Sequence, residues 1–185
     1  MQVELKVNDK SVQAEISEGQ LKELGLVEQL KKLGLLEDKP KTGYERVKKG
    51  EMYYVIDTEY NSMLKITEFN DKEDEQCYNT GNYYNDKIIA ENNARADRLL
   101  RQLRQWQAAN DKSISEKDWN DESKKKWFVA YSYGAEKLYA DYYYIMRLPN
   151  TIHFATKEKA EEAIEVFRDE LIWYFVEYQQ RLDEE

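Results

Sequence analysis

Hydrophobic and polar positions change period several times along the chain, and each change marks an element. Val3, Leu5 and Val7 alternate with polar residues, Asn8-Asp9-Lys10 interrupts them, and alternation resumes through Val12, Ala14 and Ile16. This predicts a β-hairpin over residues 2–16. Ser17 and Gln20 have capping-box spacing ahead of Leu21, Leu24, Leu26, Val27, Leu30 and Leu33, so two short helices interrupted at Gly25 and closed by Gly34 should follow. Residues 37–43 contain Pro40 and no apolar anchor, and read as a linker.

Beyond the linker one grammar is used twice. β-rich runs at 52–58 and 62–69 flank Glu59-Tyr60-Asn61; a polar loop leads to Tyr83-Tyr84 and a long helix from about Asp86 to Ala109. Runs at 127–133 and 138–146 then flank Gly134-Ala135-Glu136, Pro149-Asn150 turns the chain into Ile152-His153-Phe154, and a helix extends from about Thr156 to Arg181. Tyr84 and Phe154, Asp86 and Thr156, Lys87 and Lys157, Ala90 and Ala160, and Glu91 and Glu161 all stand 70 residues apart. The expectation is an α+β fold: an N-terminal hairpin and short helices (1–36), then two ββ(β)α units that read as a duplication, 44–110 and 124–182, whose long helices pack on antiparallel sheet as one compact domain. Residues 110–126 would connect them, with Ser113 and Glu116 starting one extra helical turn.

Both long helices carry a stripe. Ala160, Ala163, Ile164, Phe167, Leu171, Tyr174, Phe175 and Tyr178 recur at helical spacing on the last one. They read as the face that covers the sheet, with a partner-binding groove helix as the alternative. On the middle helix Ile89, Ala96, Leu99, Leu103 and Trp106 oppose Arg95, Arg98, Arg101 and Arg104. A three-residue step drifts by about 60° per interval, so the four guanidinia form a broad band. Such a band can meet phosphates or an acidic protein patch, or it can pair with the Glu-rich face of the last helix or with Asp97.

Composition narrows the chemistry. The 185 residues carry 28 Lys and Arg against 37 Asp and Glu, a net charge of -9, so a general basic coat for nucleic acid is excluded. Fifteen Tyr, five Phe and four Trp argue against a disordered chain. Twelve of the tyrosines lie in or beside the strands, where alternation should leave half facing water as recognition surface. His153 and Cys77 are the only residues of their kinds, which removes Cys/His zinc sites, disulfide frameworks and Cys-His nucleophiles. No pair of glycines has the spacing of a phosphate-binding loop, and no catalytic, cofactor or metal residue is assigned. There is neither a spanning apolar run nor a secretory signal, so a reducing cytoplasm is the expected compartment. The stretch Asp71-Lys72-Glu73-Asp74-Glu75 lacks the glycine of a calcium-binding loop and is expected to be a solvated loop. Asp71, Glu73, Asp74 and Glu75, with Glu161, Glu165 and Asp169 of the last helix, are the candidate partner-contacting carboxylates.

Three segments carry a resemblance. Gly43-Tyr44-Glu45-Arg46-Val47-Lys48-Lys49-Gly50-Glu51-Met52-Tyr53-Tyr54, Gly81-Asn82-Tyr83-Tyr84-Asn85-Asp86-Lys87 with Ala90 to Asp97, and Asp169-Glu170-Leu171-Ile172-Trp173-Tyr174-Phe175 resemble small proteins of phages, prophages and plasmids of Firmicutes, one group of which is similar to the type II-A anti-CRISPR proteins that inhibit Cas9. The resemblance implies a non-enzymatic inhibitor in the bacterial host cell, bound to a defence nuclease such as Cas9 with its guide RNA, and blocking target-DNA binding or cleavage. An acidic protein suits positively charged channels that hold nucleic acid. The alternatives are a DNA-binding accessory protein of a phage or plasmid that uses Arg95, Arg98, Arg101 and Arg104, and a sponge for a nucleotide signal.

Overall fold

The computed structural model describes residues 2–7, 10–15, 41–60 and 62–183, together with positions 17, 19 and 25. The chain divides into two compact units, Met1–Pro40 and Lys41–Glu185. In the first, strands β1 (Gln2–Val7) and β2 (Lys10–Glu15) pair antiparallel with Leu5 opposite Val12, the hairpin that the alternation predicts. The two helices expected between 17 and 34 lie outside the described residues.

The second unit is α+β. Its elements are β3 (Met52–Asp57), β4 (Ser62–Thr67), α1 (Lys72–Asn79), α2 (Lys87–Asn110), α3 (Glu116–Trp119), β5 (Lys126–Ser132), β6 (Lys137–Tyr143), α4 (Lys157–Val166) and α5 (Arg168–Val176). Each hairpin gains one bridging residue on its outer side. Tyr54 and Tyr84 exchange main-chain hydrogen bonds of 2.7 and 3.0 Å, and Trp127 and Phe154 exchange bonds of 2.9 and 2.7 Å. Two-stranded ribbons are marginal alone, so a helix closes each.

The junction between bridge and helix recurs at the 70-residue spacing. Asp86 caps α2 by accepting from the Ile89 N–H at 3.0 Å, and Thr156 caps α4 by accepting from the Lys159 N–H at 3.3 Å. Lys87 pairs with Glu91 and Lys157 with Glu161, while Ala90 and Ala160 are fully buried at the same helical position. Beyond the junction the halves diverge: helix α1 separates hairpin from bridge in the first, an irregular turn does so in the second, and α2 is continuous over 24 residues.

Three expectations need correction. The 71–75 stretch is not a loop. Asp71 accepts from the Asp74 N–H at 3.0 Å, Asp74 accepts in return from the Asp71 N–H at 3.3 Å, and this capping box starts α1, with Glu73, Asp74 and Glu75 in the turn where negative charge suits the helix dipole. The helix expected from Thr156 to Arg181 breaks at Phe167 (φ -112°, ψ 19°) and restarts as α5. Leu171 and Trp173, about 200° apart on a helical wheel, are both buried, so α5 serves two neighbours rather than one stripe. The short helix α3 also starts later than expected, capped by Ser115.

Leu99 and Leu103 of α2, Phe154, Ala160 and Ala163 of α4 and Leu171 of α5 form the larger core cluster, with Trp127, Val129, Leu138 and Ala140 of the second hairpin against it. The helical stripes therefore face the sheet. In the first half Tyr53, Val55 and Tyr83 form one cluster and Tyr84, Ile89 and Ala90 another. Gly43 lets the entering chain lie on α2: its φ is +96° and a Cβ there would stand 2.9 Å from Ile89 Cγ1. The chain returns to the same place, where Tyr178 Oη donates to Asn93 Oδ1 at 2.8 Å and Asn93 Nδ2 donates to Tyr44 Oη at 2.9 Å. Among the described residues no helix is long and apolar enough to cross a membrane.

Candidate functional site

The four carboxylates of the 71–75 stretch have separate fates. Asp74 is buried beneath β3, where its Oδ1 accepts from Tyr53 Oη at 2.7 Å and its Oδ2 from the Phe69 N–H at 2.7 Å. Burial alone would raise its pKa, but these donors and the Asp71 N–H outweigh it and hold the carboxyl at about 2. Burial, and then the bond to Asp74, pushes the Tyr53 hydroxyl well above its ordinary range. Asp74 is thus a core anchor, which corrects its assignment as a partner contact. Asp71 caps α1, and Glu75 accepts from Arg46 Nη1 at 2.6 Å. Glu73 is exposed and has no partner among the described residues.

Arg46 links this stretch to a second buried carboxylate that pattern reading missed. Glu68 is wholly buried at the end of β4, receives Arg46 Nη2 at 3.1 Å and Nε at 3.3 Å, and accepts from Tyr83 Oη at 2.7 Å. Tyr83 stacks on Tyr53 with ring centroids 4.0 Å apart. Every polar atom of this cluster has a partner, as buried networks require. Its chemistry is structural support.

The outer face of α4 and α5 is the largest display of one charge among the candidates. Glu158, Glu161, Glu162, Glu165 and Asp169 are all exposed, and residues 157–176 carry six carboxylates against three cations. Glu161 pairs with Lys157 at 2.9 Å, Glu162 with Lys159 at 2.6 Å, and Glu165 with Arg168. Exposed pairs of this kind contribute only about 0–1 kcal/mol and exchange readily for contacts with a partner. Asp169 has no partner among the described residues.

The arginine band divides. Arg95 donates from Nε and Nη2 to Glu170 at 2.9 and 3.1 Å, and its guanidinium lies 4.0 Å from the Trp173 ring centroid. The Arg95 hydrogen bond lowers the Glu170 pKa. This bidentate, stacked arrangement fastens α2 to α5. Arg98 is half-buried in a cleft of about 230 Å³ beside the β3–β4 turn, while Arg101 and Arg104 are exposed. Lys126, also unremarked in the sequence, is buried and donates to the carbonyls of Asp121 and Lys124 at 2.9 Å and to that of Tyr144, tying the connector to the second hairpin. The signal that could have flagged both is a charged residue at a strand end beside an aromatic one, Lys126 before Trp127 and Glu68 before Phe69.

Among the described residues no group of three or more His, Cys, Asp or Glu is placed to hold a metal ion. No family model matches the sequence, and neither a curated protein nor a solved structure matches it.

Proposed function

We propose that the protein is a non-enzymatic inhibitor that presents the carboxylates of α4 and α5 to a basic, nucleic-acid-handling partner, and that the partner is a Cas9-type nuclease of the bacterial host. The observation that carries this reading is the row Glu158, Glu161, Glu162, Glu165 and Asp169, all exposed on one molecule of net charge -9. At 1.5 Å rise per residue the part of the row within α4, Glu158 to Glu165, extends over roughly 10 Å, and Asp169 continues it on α5, enough to occupy a stretch of a channel otherwise filled by phosphates. Complementary charge would speed association and exclude target DNA, and the effect should weaken with salt. The three segments resemble small mobile-element proteins, one group of which is similar to the type II-A anti-CRISPR proteins, and that resemblance is the ground for choosing Cas9 as the nuclease.

The test is target cleavage by purified Cas9 with guide RNA at rising molar excess of this protein. Inhibition is expected from at least one of several orthologues, and it should be lost when the five carboxylates are changed together to Lys. Undiminished cutting by every orthologue would remove the proposal. A second reading, direct DNA binding, is favoured by the exposure of Arg101 and Arg104. Two phosphate contacts predict a slope of about -1.8 in log affinity against log salt.

A further inference from the structure

The first strand of each hairpin has an outer edge that its partner strand leaves uncovered. Tyr54 and Trp127 use their outward N–H and C=O groups on the bridges to Tyr84 and Phe154. Strand geometry then aims the main-chain groups two and four residues further on to the same side. In the first half that edge is closed. The Ile56 N–H donates to Asn82 Oδ1 at 2.7 Å, and Asn82 Nδ2 donates to the Ile56 carbonyl at 2.9 Å. The side-chain amide two residues before Tyr84 stands in for the peptide group of a third strand.

In the second half the residue two before Phe154 is Ile152, whose side chain can neither donate nor accept. Pro149 and Asn150, the latter at φ +55°, turn the preceding chain away. Val129 and Tyr131 make no main-chain hydrogen bond on this edge among the described residues. A groove of about 460 Å³ lies alongside instead. Consecutive residues from Phe128 to Tyr131 line it, so it opens on the strand's edge rather than on one face. Leu99, Leu103, Leu171 and Phe175 supply an apolar floor. The 148–151 loop on its far side also borders a depression beside Arg104 and Arg147, both exposed and without a carboxylate partner among the described residues.

We propose that the outer edge of β5 docks an extended, apolar and acidic segment of a partner protein, which adds as a third strand. The segment pairs with the main chain of Val129 and Tyr131, places an apolar side chain in the groove and sets a carboxylate against Arg104 and Arg147. Main-chain pairing supplies affinity, and the groove with its arginines supplies register. Open edges are normally blocked, and this molecule blocks one of its own with Asn82 while leaving the equivalent edge open. The arginines select for acid where the rest of the molecule, at net charge -9, repels it. A second copy is the poorer occupant, because the strand it would offer, Lys126–Ser132, contains no carboxylate. The proposal does not depend on nuclease inhibition, and its test is read in the absence of any nuclease.

The probe is a displayed library of ten-residue peptides alternating Val, Ile, Leu or Phe with Asp, Glu or Thr, selected on the full chain. In the free protein the Val129 and Tyr131 amides should exchange with deuterated water far faster than the Ile56 amide. A selected peptide should protect them. Ile152→Asn, which puts an amide where the other half has Asn82, should weaken binding about tenfold or more, the scale of one hydrogen bond lost from a docked strand. Val129→Pro removes an N–H that no described residue accepts, so it should keep the native circular dichroism and lose the peptide. A joint Arg104→Glu and Arg147→Glu change should also lose it. The proposal is overturned if no peptide is selected, if Val129 and Tyr131 are already protected in the monomer, if the Ile152 and Val129 variants bind as the parent does, or if those amides become protected only through dimerisation.

Discussion

The two halves of the second unit share a junction and stabilise it by opposite means. In the first half the space behind Tyr53 and Tyr83 is filled by a polar cluster, Arg46 with Glu68 and Tyr53 with Asp74, and the strand edge is sealed by Asn82. In the second half the same ribbon-and-helix arrangement is filled by Phe154, Ala160, Ala163 and Leu171, and its edge stays open. Apolar packing is graded and tolerates small changes, whereas a satisfied polar network specifies one arrangement and fails sharply when a member is lost. The comparison teaches that a bridged hairpin capped by a helix can be closed with either chemistry, and that the choice decides where the unit is brittle and where it can still accept a strand.

The sharpest way to break the comparison is Glu68→Ala. Removing the carboxylate leaves the Arg46 guanidinium and the Tyr83 hydroxyl without their shared acceptor in a site where Glu68 itself is wholly buried. Arg46 is part-exposed and keeps Glu75, so the loss is that of a buried acceptor shared by several donors, about 1–3 kcal/mol, and urea unfolding should show it. A loss under about 1 kcal/mol would mean that the first half is held by its aromatic stacking and not by the network.

How much of this could be read from the sequence follows from the same contrast. The hairpins, the α2 stripe and the α4 part of the last stripe were legible, because alternation and 3.6-residue recurrence report burial locally. The five matches at 70-residue spacing were legible for a similar reason: they are the bridge, the cap, the first ion pair and the buried alanine of one local junction. The carboxylate roles were not. Asp74 is set by Tyr53, 21 residues away, and Glu68 by Arg46, 22 residues away, and no period links such pairs. An acidic run looks solvated until its partners are placed. The break at Phe167 was hidden because the apolar stripe continues across it, and Arg95 looked like a free cation because Glu170 and Trp173 lie on another helix. Asn82 resembled a turn residue, and only the bridge beside it gives its amide a strand to complete.

Asn82→Ala should therefore have a smaller and more local effect than loss of Glu68. The Ile56 N–H and C=O lose both partners in a half-buried setting, which costs about 1–2 kcal/mol. The decisive reading is amide exchange. Ile56 should become as labile as Val129 while the rest of β3 keeps its protection, making the two edges alike. Asn82→Asp keeps an acceptor but loses the donor, so it should fall between the parent and the alanine variant. Unchanged Ile56 exchange in both would detach the edge from Asn82.

The mildest difference between the halves is a dependence on pH that only the second possesses near neutrality. His153 is 8% exposed, lies edge-on to Trp119 with centroids 5.0 Å apart, and its Nε2 has no hydrogen-bond partner among the described residues. Burial lowers its pKa below the ordinary 6.5 and the nearby Arg147 charge adds to this, against a hydrogen bond to the Thr151 main chain that raises it. Between the folded value and 6.5 the unfolded chain binds more protons, so the native state loses stability as pH falls through that window and keeps its full contribution above it. Asp74 has the same sign at lower pH. Its stabilisation is complete above its ordinary value of 3.8 and disappears only as pH falls towards about 2. Denaturant unfolding from pH 8 to pH 5 should show stability falling with pH in the parent and a flatter profile in His153→Phe. If both proteins give the same slope, the proton is taken up elsewhere and His153 is not the source of the difference between the halves.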